Sequence, residues 1–440
     1  DEGRANSRSD DYGWQFGNYQ LCGIDAIRRE LDPNEKQPPS TNYPPAMGPS
    51  AVFFGGTDPG RFVPTYMIYS ARVREDVHLI TQNALADHTY MSVMRDLYGD
   101  RIWIPAVVDN QQAFAIFADE VRRGVRPGNV DVRGGRVVVQ GVDQVMAING
   151  ILCKMIHDRN KWKHPFYVEE SYVIPWMYPY MEPHGLILKI NPEPLPKIPD
   201  ETVKNDMEFW HWYSQRMLND DAFTDNAVAR KTFSKLRSAI AGLYEHRQMW
   251  NEAERAYREA VTLCPISPEA AFRLASMYLN RNEMDKAKQV MLDFAKLDPG
   301  NLRPWQLIEE IERRQKLLKR KAELEEQLRV SPTIQAIIEL AQLHRAMGNI
   351  PAFRQLAMGI VDNPNLPVEA QMTVLQLFQE TKLYDDMDKA AKVVMARLET
   401  NTANGLRPRI YRDIASKYAA ANKLPEAVDA MNKYLVLAQL

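Results

Sequence analysis

Cysteine is scarce in this sequence of 440 residues, and its three copies lie far apart. Cys22, Cys153 and Cys264 form no CxxC pair, and together with the histidines they show no spacing typical of a zinc site. The sequence also lacks an HExxH motif. We therefore expect neither a disulfide framework nor a metal site. The pattern predicts isolated thiols, although their redox state is left open.

Long hydrophobic runs and an excess of one charge are also missing. The chain carries 55 basic and 57 acidic residues, so it has no basic excess of the kind that nucleic-acid binding needs. No stretch approaches the roughly 20 apolar residues that span a bilayer, and the polar residues 1–11 do not resemble a signal peptide. A hydrophobic content of 45% with 25% charged residues is typical of a folded protein, and the length predicts two or three domains.

Residues 1–49 are predicted to hold a polar arm, one amphipathic helix and a linker. Apolar residues recur at helical spacing from Tyr12 to Leu31. Five prolines follow between Asp32 and Pro49, which favours an extended segment.

Residues 50–191 show the pattern of an α/β domain. Short apolar runs at 51–54, 77–81, 101–104, 166–168 and 186–190 are predicted strands, and Gly134-Gly135 indicates a hairpin over 130–140. Helical patterns separate most of these runs. Alternating strands and helices predict a mainly parallel sheet in a Rossmann-like three-layer fold.

Residues 192–226 are predicted to be a linker followed by an aromatic docking helix. Four prolines stand between 192 and 199, which marks a domain boundary. Trp210, Trp212 and Tyr213 open the helical half, and a second aromatic cluster surrounds Trp176. Both clusters suit a packing seam, with sugar or membrane-interface contact as the alternative.

Residues 227–440 show the 34-residue frame of tetratricopeptide (TPR) repeats, which are helix pairs with small and large residues at fixed positions. The matching positions are Ile240, Ala241, Tyr244, Ala253, Tyr257 and Ala260; then Leu274, Ala275, Tyr278, Ala287, Met291 and Phe294; then Ile414, Ala415, Tyr418, Ala427, Met431 and Tyr434. The small residues allow the two helices of a pair to cross closely. The pattern predicts an all-α TPR superhelix.

Between these repeats the frame degrades, because Lys321 stands where a small residue is expected. The charged run from Arg313 to Glu326 predicts one long helix, and residues 331–364 and 367–398 predict two further pairs. A stacked array of this kind is suited to hold a protein or peptide partner. Alternatively, the array only packs on its own α/β domain.

One glycine-rich loop is the main candidate for ligand binding. Gly55-Gly56-Thr57-Asp58-Pro59-Gly60-Arg61 joins a predicted strand to a predicted helix, where free N–H groups attract anions. The segment matches neither GxGxxG nor a P-loop, and Asp58 before Pro59 also fits a structural turn.

Asn83 and Asp87 follow the next strand, so they complete the candidate ligand-binding set, although Asp87 also fits a helix cap. Glu169-Glu170 follows a later strand and could supply a base, but an acidic pair alone is weak evidence for one. The sequence contains no recognised catalytic constellation, and we predict no cofactor.

Several segments together resemble one family of membrane proteins. They are residues 51–66, residues 80–87 (Ile-Thr-Gln-Asn-Ala-Leu-Ala-Asp), residues 94–100 (Met-Arg-Asp-Leu-Tyr-Gly-Asp) and Val168-Glu169-Glu170-Ser171. This pattern is similar to bacterial multi-pass membrane proteins of the "domain of unknown function 2723" type, which are related to protein O-mannosyltransferases and GT-C glycosyltransferases. The resemblance covers roughly Trp14 to Asn191.

The resemblance implies that the chain is the extracytoplasmic, periplasmic part of a larger membrane-tethered protein, with its membrane-embedded N-terminal half as a partner. The polar start without Met agrees with this expectation. The resemblance assigns no catalytic residue to this chain, since the donor-lipid site of such proteins is in the membrane half. The alternatives are an α/β domain that is itself a sugar- or nucleotide-binding enzyme, a structural subunit of an assembly, and a cytoplasmic protein.

Overall fold

The computed structural model describes residues 11–56, 60–133, 136–170, 172–400, 405 and 407–438. The chain divides into two compact units between Trp305 and Gln306. The described strands all belong to the first unit.

The first unit contains eleven described α-helices and seven strands. In chain order they are α1 (Tyr12–Glu30), β1 (Val52–Gly55), α2 (Phe62–Thr65) with a π-helical turn (Tyr66–Ser70), β2 (His78–Thr81), α3 (His88–Tyr98), α4 (Val107–Arg122), β3 (Asp131–Arg133), β4 (Arg136–Val138), α5 (Val142–Asn160), β5 (Phe166–Val168), a 3-10 helix (Pro175–Tyr180), β6 (Met181–His184), β7 (Ile187–Ile190), α6 (Asp200–Leu218), α7 (Asp221–Thr224), α8 (Ala227–His246), α9 (Trp250–Leu263), α10 (Pro268–Asn280) and α11 (Met284–Leu297).

The remaining helices extend to the end of the described chain. They are α12 (Leu302–Val330), α13 (Ile334–Ala346), α14 (Ile350–Asp362), α15 (Val368–Glu380), α16 (Tyr384–Thr400), α17 (Arg407–Ala420) and α18 (Leu424–Ala438). None of the described helices is both long and apolar enough to cross a membrane.

The main sheet has five strands in the order β2-β1-β5-β7-β6. β1 pairs in parallel with β2 and β5, whereas β7 pairs antiparallel with β5 and β6. The sheet is therefore mixed, and the prediction of a mainly parallel, Rossmann-like sheet was wrong in this respect. The predicted β3–β4 hairpin is confirmed as a separate two-stranded sheet.

The antiparallel part arises from a β6–β7 hairpin that the sequence pattern did not predict. Pro183 stands inside β6, and a proline is tolerated there because β6 is an edge strand with one side free of ladder hydrogen bonds. Gly185 forms the turn with a φ of 66°, a left-handed conformation that favours glycine.

The strand predicted at 101–104 is absent, although Ile102 and Ile104 are buried. The side chain of Asn160 replaces a neighbouring strand there. Its Oδ1 accepts from the Trp103 N–H over 2.8 Å, and its Nδ2 donates to the Trp103 carbonyl over 2.9 Å. Because one amide side chain pairs both backbone groups, this apolar segment is buried without joining a sheet.

The aromatic residues of α6 lie in the core of the first unit. Trp210 and Tyr213 are fully buried, and the Trp210 indole donates to the Gly185 carbonyl over 3.0 Å. The Tyr213 ring contacts Phe233 of α8 edge-on. These contacts join the sheet, α6 and α8, so the aromatics pack as a seam between the sheet and the helical repeats.

The helices after α7 form TPR-type pairs, as the 34-residue frame predicts. Within the described residues the pairs are α8–α9, α10–α11, α13–α14, α15–α16 and α17–α18. The frame residues of the first two pairs are buried. Met431 in the last pair is 38% exposed because no described helix follows α18. The long helix predicted over 313–326 is confirmed within α12.

A residue with a left-handed backbone conformation recurs in the turn between the two helices of a pair. Gln248, Asn282, Lys382 and Asn422 have φ values of 57–60°, and Gly348 has a φ of 73° in the equivalent turn. Gln248 and Asn282 are one repeat length apart, as are Gly348 and Lys382. The backbone conformation thus repeats even where the residue type does not.

Candidate functional site

The predicted glycine loop connects β1 to α2. Gly55 ends β1, whereas Thr57 and Asp58 lie outside the described residues. Arg61 is exposed, and its guanidinium lies 5.3 Å from the centre of the Phe62 ring. Its role in ligand binding remains a prediction.

Asn83 and Asp87 lie beyond the end of β2. Asn83 is half-buried, while the exposed Asp87 accepts from the Tyr90 N–H over 2.8 Å and so caps α3. Within the described residues, neither side chain hydrogen-bonds to the glycine loop. The structure therefore gives Asp87 a capping role, and a part for Asn83 and Asp87 in ligand binding stays a prediction.

The loop glycines pack against a side chain from another strand, Glu169. A Cβ atom on Gly60 would lie 1.5 Å from Oε2 of Glu169, and one on Gly56 would lie 2.8 Å from Oε1. Both glycines are therefore needed to make space for the carboxyl group. Glu169 directly follows β5, so parallel pairing places it beside the end of β1.

Burial raises the pKa of Glu169 to about 7. The Lys235 ammonium on α8, 3.5 Å away, and the Gly56 N–H act in the opposite direction because they stabilise the carboxylate. A carboxyl group with this pKa exchanges its proton near neutral pH, which is a property of general acids and bases.

Gln82 closes this site from the end of β2. Its Nε2 donates to the Glu169 carbonyl over 2.6 Å and to the Gly55 carbonyl over 3.3 Å, so one side chain joins three strand ends. Oε1 of Gln82 and Oε2 of Glu169 are buried and have no hydrogen-bond partner among the described residues. The Glu169 carboxyl group can therefore hold a proton. Neither Gln82 nor Glu169 lines the cavity beside α5 or the cavity between α15 and α17.

Glu170 makes a second buried contact with the helical repeats. Its carboxylate accepts from the Tyr178 hydroxyl over 2.6 Å and lies 3.5 Å from Arg273 of α10. Burial raises its pKa, while Arg273 and Tyr178 lower it. The two successive glutamates thus contact the first helices of two successive pairs, Glu169 on α8 and Glu170 on α10.

Arg247 strengthens the same seam, directly after α8. Its guanidinium donates to the carbonyls of Tyr178, Pro179 and Leu195 over 2.6–3.1 Å. The Tyr178 ring also lies 4.7 Å from the His246 ring. The face that α8 and α10 turn toward the sheet is therefore occupied by the α/β domain of the same chain.

The equivalent face of the second unit contains an open groove. A cavity of about 450 Å³ lies between α15 and α17, the first helices of two successive pairs. Its lining residues are Val368, Glu369, Met372, Thr373, Gln376 and Gln379 from α15, and Arg409, Ile410, Asp413, Ser416 and Lys417 from α17.

The groove combines an apolar floor with amide, hydroxyl and charged groups. Lys417 is half-buried, and its ammonium donates to Oε1 of Gln379 over 3.4 Å. Burial lowers the pKa of Lys417. A partly desolvated ammonium with one long neutral hydrogen bond favours an additional acceptor from a ligand.

Sequence reasoning missed several residues around the two glutamates. Gln82 lies in the quoted segment 80–87 but was not singled out there. Lys235 and Arg273 come from distant elements and belong to no local motif, so only the fold brings them to the glutamates. The described residues contain no group of three His, Cys, Asp or Glu side chains that could hold a metal ion. The three thiols are unpaired, and burial raises the pKa of Cys153.

Comparison with known proteins gave structural likenesses only. No family model matches the chain, and no curated protein matches it. Among solved structures, MamA is 15% identical with a TM-score of 0.17 and covers 46% of this chain and 90% of its own. PilF of Pseudomonas aeruginosa is 16% identical, with a TM-score of 0.20 and coverages of 47% and 94%. The TPR domain of P58(IPK) is 10% identical, with a TM-score of 0.21 and coverages of 86% and 88%. Because these TM-scores are low, the TPR description rests on the helix pairs themselves.

Proposed function

We propose that the chain is a partner-docking module whose second unit binds a polypeptide in the groove between α15 and α17. The observation that carries this proposal is the composition of the groove. Thr373 donates to the Glu369 carbonyl, Gln376 donates to the Glu380 carboxylate, and the Gln379 amide oxygen accepts from Lys417. The Gln376 amide oxygen and the Gln379 amide N–H groups are left to supply an acceptor and a donor, as an extended peptide backbone requires. Met372 and Ile410 supply an apolar floor for side chains.

The first unit gives a reason to assign binding to the second. There, the matching face of α8 and α10 already holds the α/β domain through Glu169, Glu170 and Arg247. A partner that bound there would have to displace buried ion pairs. The α15–α17 groove has no such cover among the described residues.

The probe comes from a displayed library of random 12-residue peptides, from which binders of the full chain are selected. We expect the selected peptides, made synthetically, to bind the wild type and to bind the variant Gln376→Ala with Lys417→Ala at least about tenfold more weakly, which corresponds to about 1.4 kcal/mol. Lys389→Ala on α16 is the matched control, because this exposed lysine lies outside the groove.

If the groove variant and the control bind the selected peptides equally, binding occurs elsewhere and the proposal fails. Thermal unfolding of both variants would show whether a lost affinity reflects a lost fold.

We further propose that this module belongs to the extracytoplasmic side of a membrane glycosyltransferase-like protein, where the repeats present an acceptor protein to a membrane-embedded N-terminal half. The support is the sequence resemblance of residues 51–66 and of Val168-Glu169-Glu170-Ser171. Protease treatment of intact spheroplasts tests the location, since an extracytoplasmic module is cleaved without lysis. A gene that encodes no hydrophobic spans upstream of residue 1 would contradict the proposal.

A second candidate function is small-molecule binding at the glycine loop, and it is favoured by the buried Glu169, whose Oε2 has no hydrogen-bond partner within the described parts of the chain. Calorimetric titration of the full chain with UDP-glucose and GDP-mannose tests this function. Binding that Arg61→Ala and Glu169→Gln both abolish would support it, whereas no heat of binding at millimolar ligand would exclude these two ligands.

A further inference from the structure

The outer face of α18, the last helix that the structure describes, is apolar and exposed. Four side chains that are 38–59% exposed form a stripe at steps of four, three and four residues: Leu424, Val428, Met431 and Leu435. The exposed Ala438 continues the stripe. Where a stacked array of repeats ends, its outer face is normally polar, because water covers it. The outer face of α18 instead has the composition of a covered surface.

The same face is covered in the preceding helix pairs. Met431 and Leu435 lie nine and thirteen residues after the left-handed residue of their turn. At these two positions α16 carries Ala391 and Met395, which are 1% and 8% exposed. There α17, the first helix of the next pair, packs on α16, and its Tyr411 hydroxyl donates to the Met395 carbonyl over 3.4 Å. The equivalent residues of α14, which contacts α15, are also buried: Ala357 and Val361. The repeat geometry therefore makes this face a surface on which another helix packs.

The stripe on α18 is complementary to itself. Steps of alternately four and three residues give the 3.5-residue period with which two helices pack along a seam. When two copies of α18 lie antiparallel about a twofold axis, Leu424 of each copy meets Leu435 of the other. Val428 then meets Met431, because both pairs are centred on the same point of the helix. Each contact joins two apolar side chains and occurs twice, as a twofold interface requires.

The borders of this seam carry no charge. The residues that flank the stripe are Pro425, Ala427, Asn432 and Tyr434. The charged residues of α18 project from the remaining sides of the helix, and Lys433 pairs with Glu399 of the same chain over 2.7 Å. Two copies can therefore approach without repulsion between like charges, whereas a partner selected by its charge would find no ion beside the stripe.

We infer that α18 is a dimerisation surface, on which a second copy of this chain packs its own α18 in antiparallel orientation. One helix per copy buries less than the roughly 800 Å² per partner of a standard interface, so the dimer is weak and its dissociation constant is micromolar. The α15–α17 groove contains no residue of α18, so dimer formation and peptide binding can fail independently. A dimer carries two such grooves and binds a partner with two matching segments more tightly than a monomer does.

Sedimentation equilibrium of the full chain between about 1 and 100 µM measures the association. We expect a shift from the monomer mass to twice that mass. Val428→Glu and Leu435→Glu should each weaken dimerisation at least about tenfold, because each places two carboxylates in the apolar seam. Val228→Glu on α8 is the matched control, since this valine is 74% exposed and lies outside α18, and it should leave the dissociation constant unchanged.

Cross-linking with a short bismaleimide tests the antiparallel order. A mixture of Leu424→Cys and Leu435→Cys should give a cross-linked dimer, because these positions meet across the axis. Leu424→Cys alone should give little, since its two copies lie about 16 Å apart along the helices. The same sample controls for the half-buried native Cys22.

Circular dichroism checks that the glutamate variants are folded, and the two variants replace side chains that are already exposed in the monomer. A chain that stays monomeric at about 100 µM overturns the inference, because the face is then bare or covered by another molecule. A dimer that both glutamate variants leave intact also overturns it. So does equal cross-linking of the mixture and of Leu424→Cys alone.

Discussion

Arg237 of α8 donates a hydrogen bond to Asp206 of α6 over 2.8 Å, and both side chains are completely buried. The same guanidinium lies 2.7 Å from Glu259 of α9, and the Tyr244 hydroxyl donates to Asp206 over 2.8 Å. Burial alone would favour a neutral Asp206 and raises its pKa, whereas Arg237 stabilises the carboxylate. One arginine therefore holds α6 against the first helix pair.

Replacing Arg237 with methionine should destabilise the first unit strongly. Asp206 would remain buried without its cation, and removing one partner of a buried ion pair costs about 3–5 kcal/mol. Urea unfolding at pH 7 measures the loss. The matched control is Arg255→Met, whose half-exposed side chain lies 3.2 Å from Glu259 and should change stability by less than about 1 kcal/mol. Equal losses of unfolding free energy in the two variants would show that burial of Arg237 and Asp206 does not determine how much their ion pair matters for stability.

The stability of the wild type relative to Glu169→Gln should fall as the pH rises. The pKa of Glu169 is about 7 in the folded protein against 4.5 for an ordinary glutamate. Between these values the unfolded chain releases a proton that the folded chain keeps. The stabilisation that Glu169 contributes is therefore fully present below pH 4.5 and is lost as the pH rises to 7 and above. The total change is on the order of 3 kcal/mol.

Urea unfolding of both proteins between pH 5 and pH 8 measures this difference. Lys235→Met should extend the loss to higher pH, because the lysine lowers the pKa of Glu169. A difference that stays constant across the range would mean that Glu169 has an ordinary pKa.

Gly60→Ala should destabilise the protein by about 1–3 kcal/mol, because the new methyl group would overlap the Glu169 carboxyl group. Adding Glu169→Ala should recover part of the loss by removing that group. Gly300→Ala is the control, since no atom lies within 4 Å of the position that its new methyl group would take. Thermal unfolding that finds no coupling between positions 60 and 169 would contradict the packing described.

Lys382→Gly should stabilise the second unit by about 0.5–1 kcal/mol. Lys382 is exposed and has a φ of 58°, a conformation that is strained for any residue with a side chain. Gly348→Ala, at the equivalent turn with a φ of 73°, should lower stability by about 1 kcal/mol. Thermal melts of the two variants should therefore move in opposite directions, and a shared direction would argue against backbone strain in these turns.

The helical half could be predicted in most of its detail because its signal is local and repeated. Alanine at 241, 253, 275 and 287 marks the close crossings, and all four side chains are fully buried. The strands β1, β2, β5 and β7 were predicted from apolar runs of suitable length. β6 was missed because Pro183 argues against a strand. A proline is tolerated in an edge strand, but the sequence does not show which strand lies at the edge of the sheet.

The candidate sites were less predictable because they depend on pairs that are distant in sequence. Glu169-Glu170 stood out only as two acidic residues after a strand. Their partners Lys235 and Arg273 lie 66 and 103 positions away from Glu169 and Glu170, respectively. The pairing of both Trp103 backbone groups by Asn160 is equally invisible in the sequence, since asparagine there also fits a helix end.

The contact between the glutamates and the repeats has a practical consequence for experiments on fragments. A chain that began near residue 200 would keep Lys235, Arg247 and Arg273 but lose Glu169, Glu170 and the carbonyl groups that accept from Arg247. Lys235 and Arg247 would then lose these acceptors and face water, while Arg273 would keep only its contact with Glu269, so the exposed surface would attract anions. Acidic peptides captured by such a fragment would report the missing domain rather than a natural ligand.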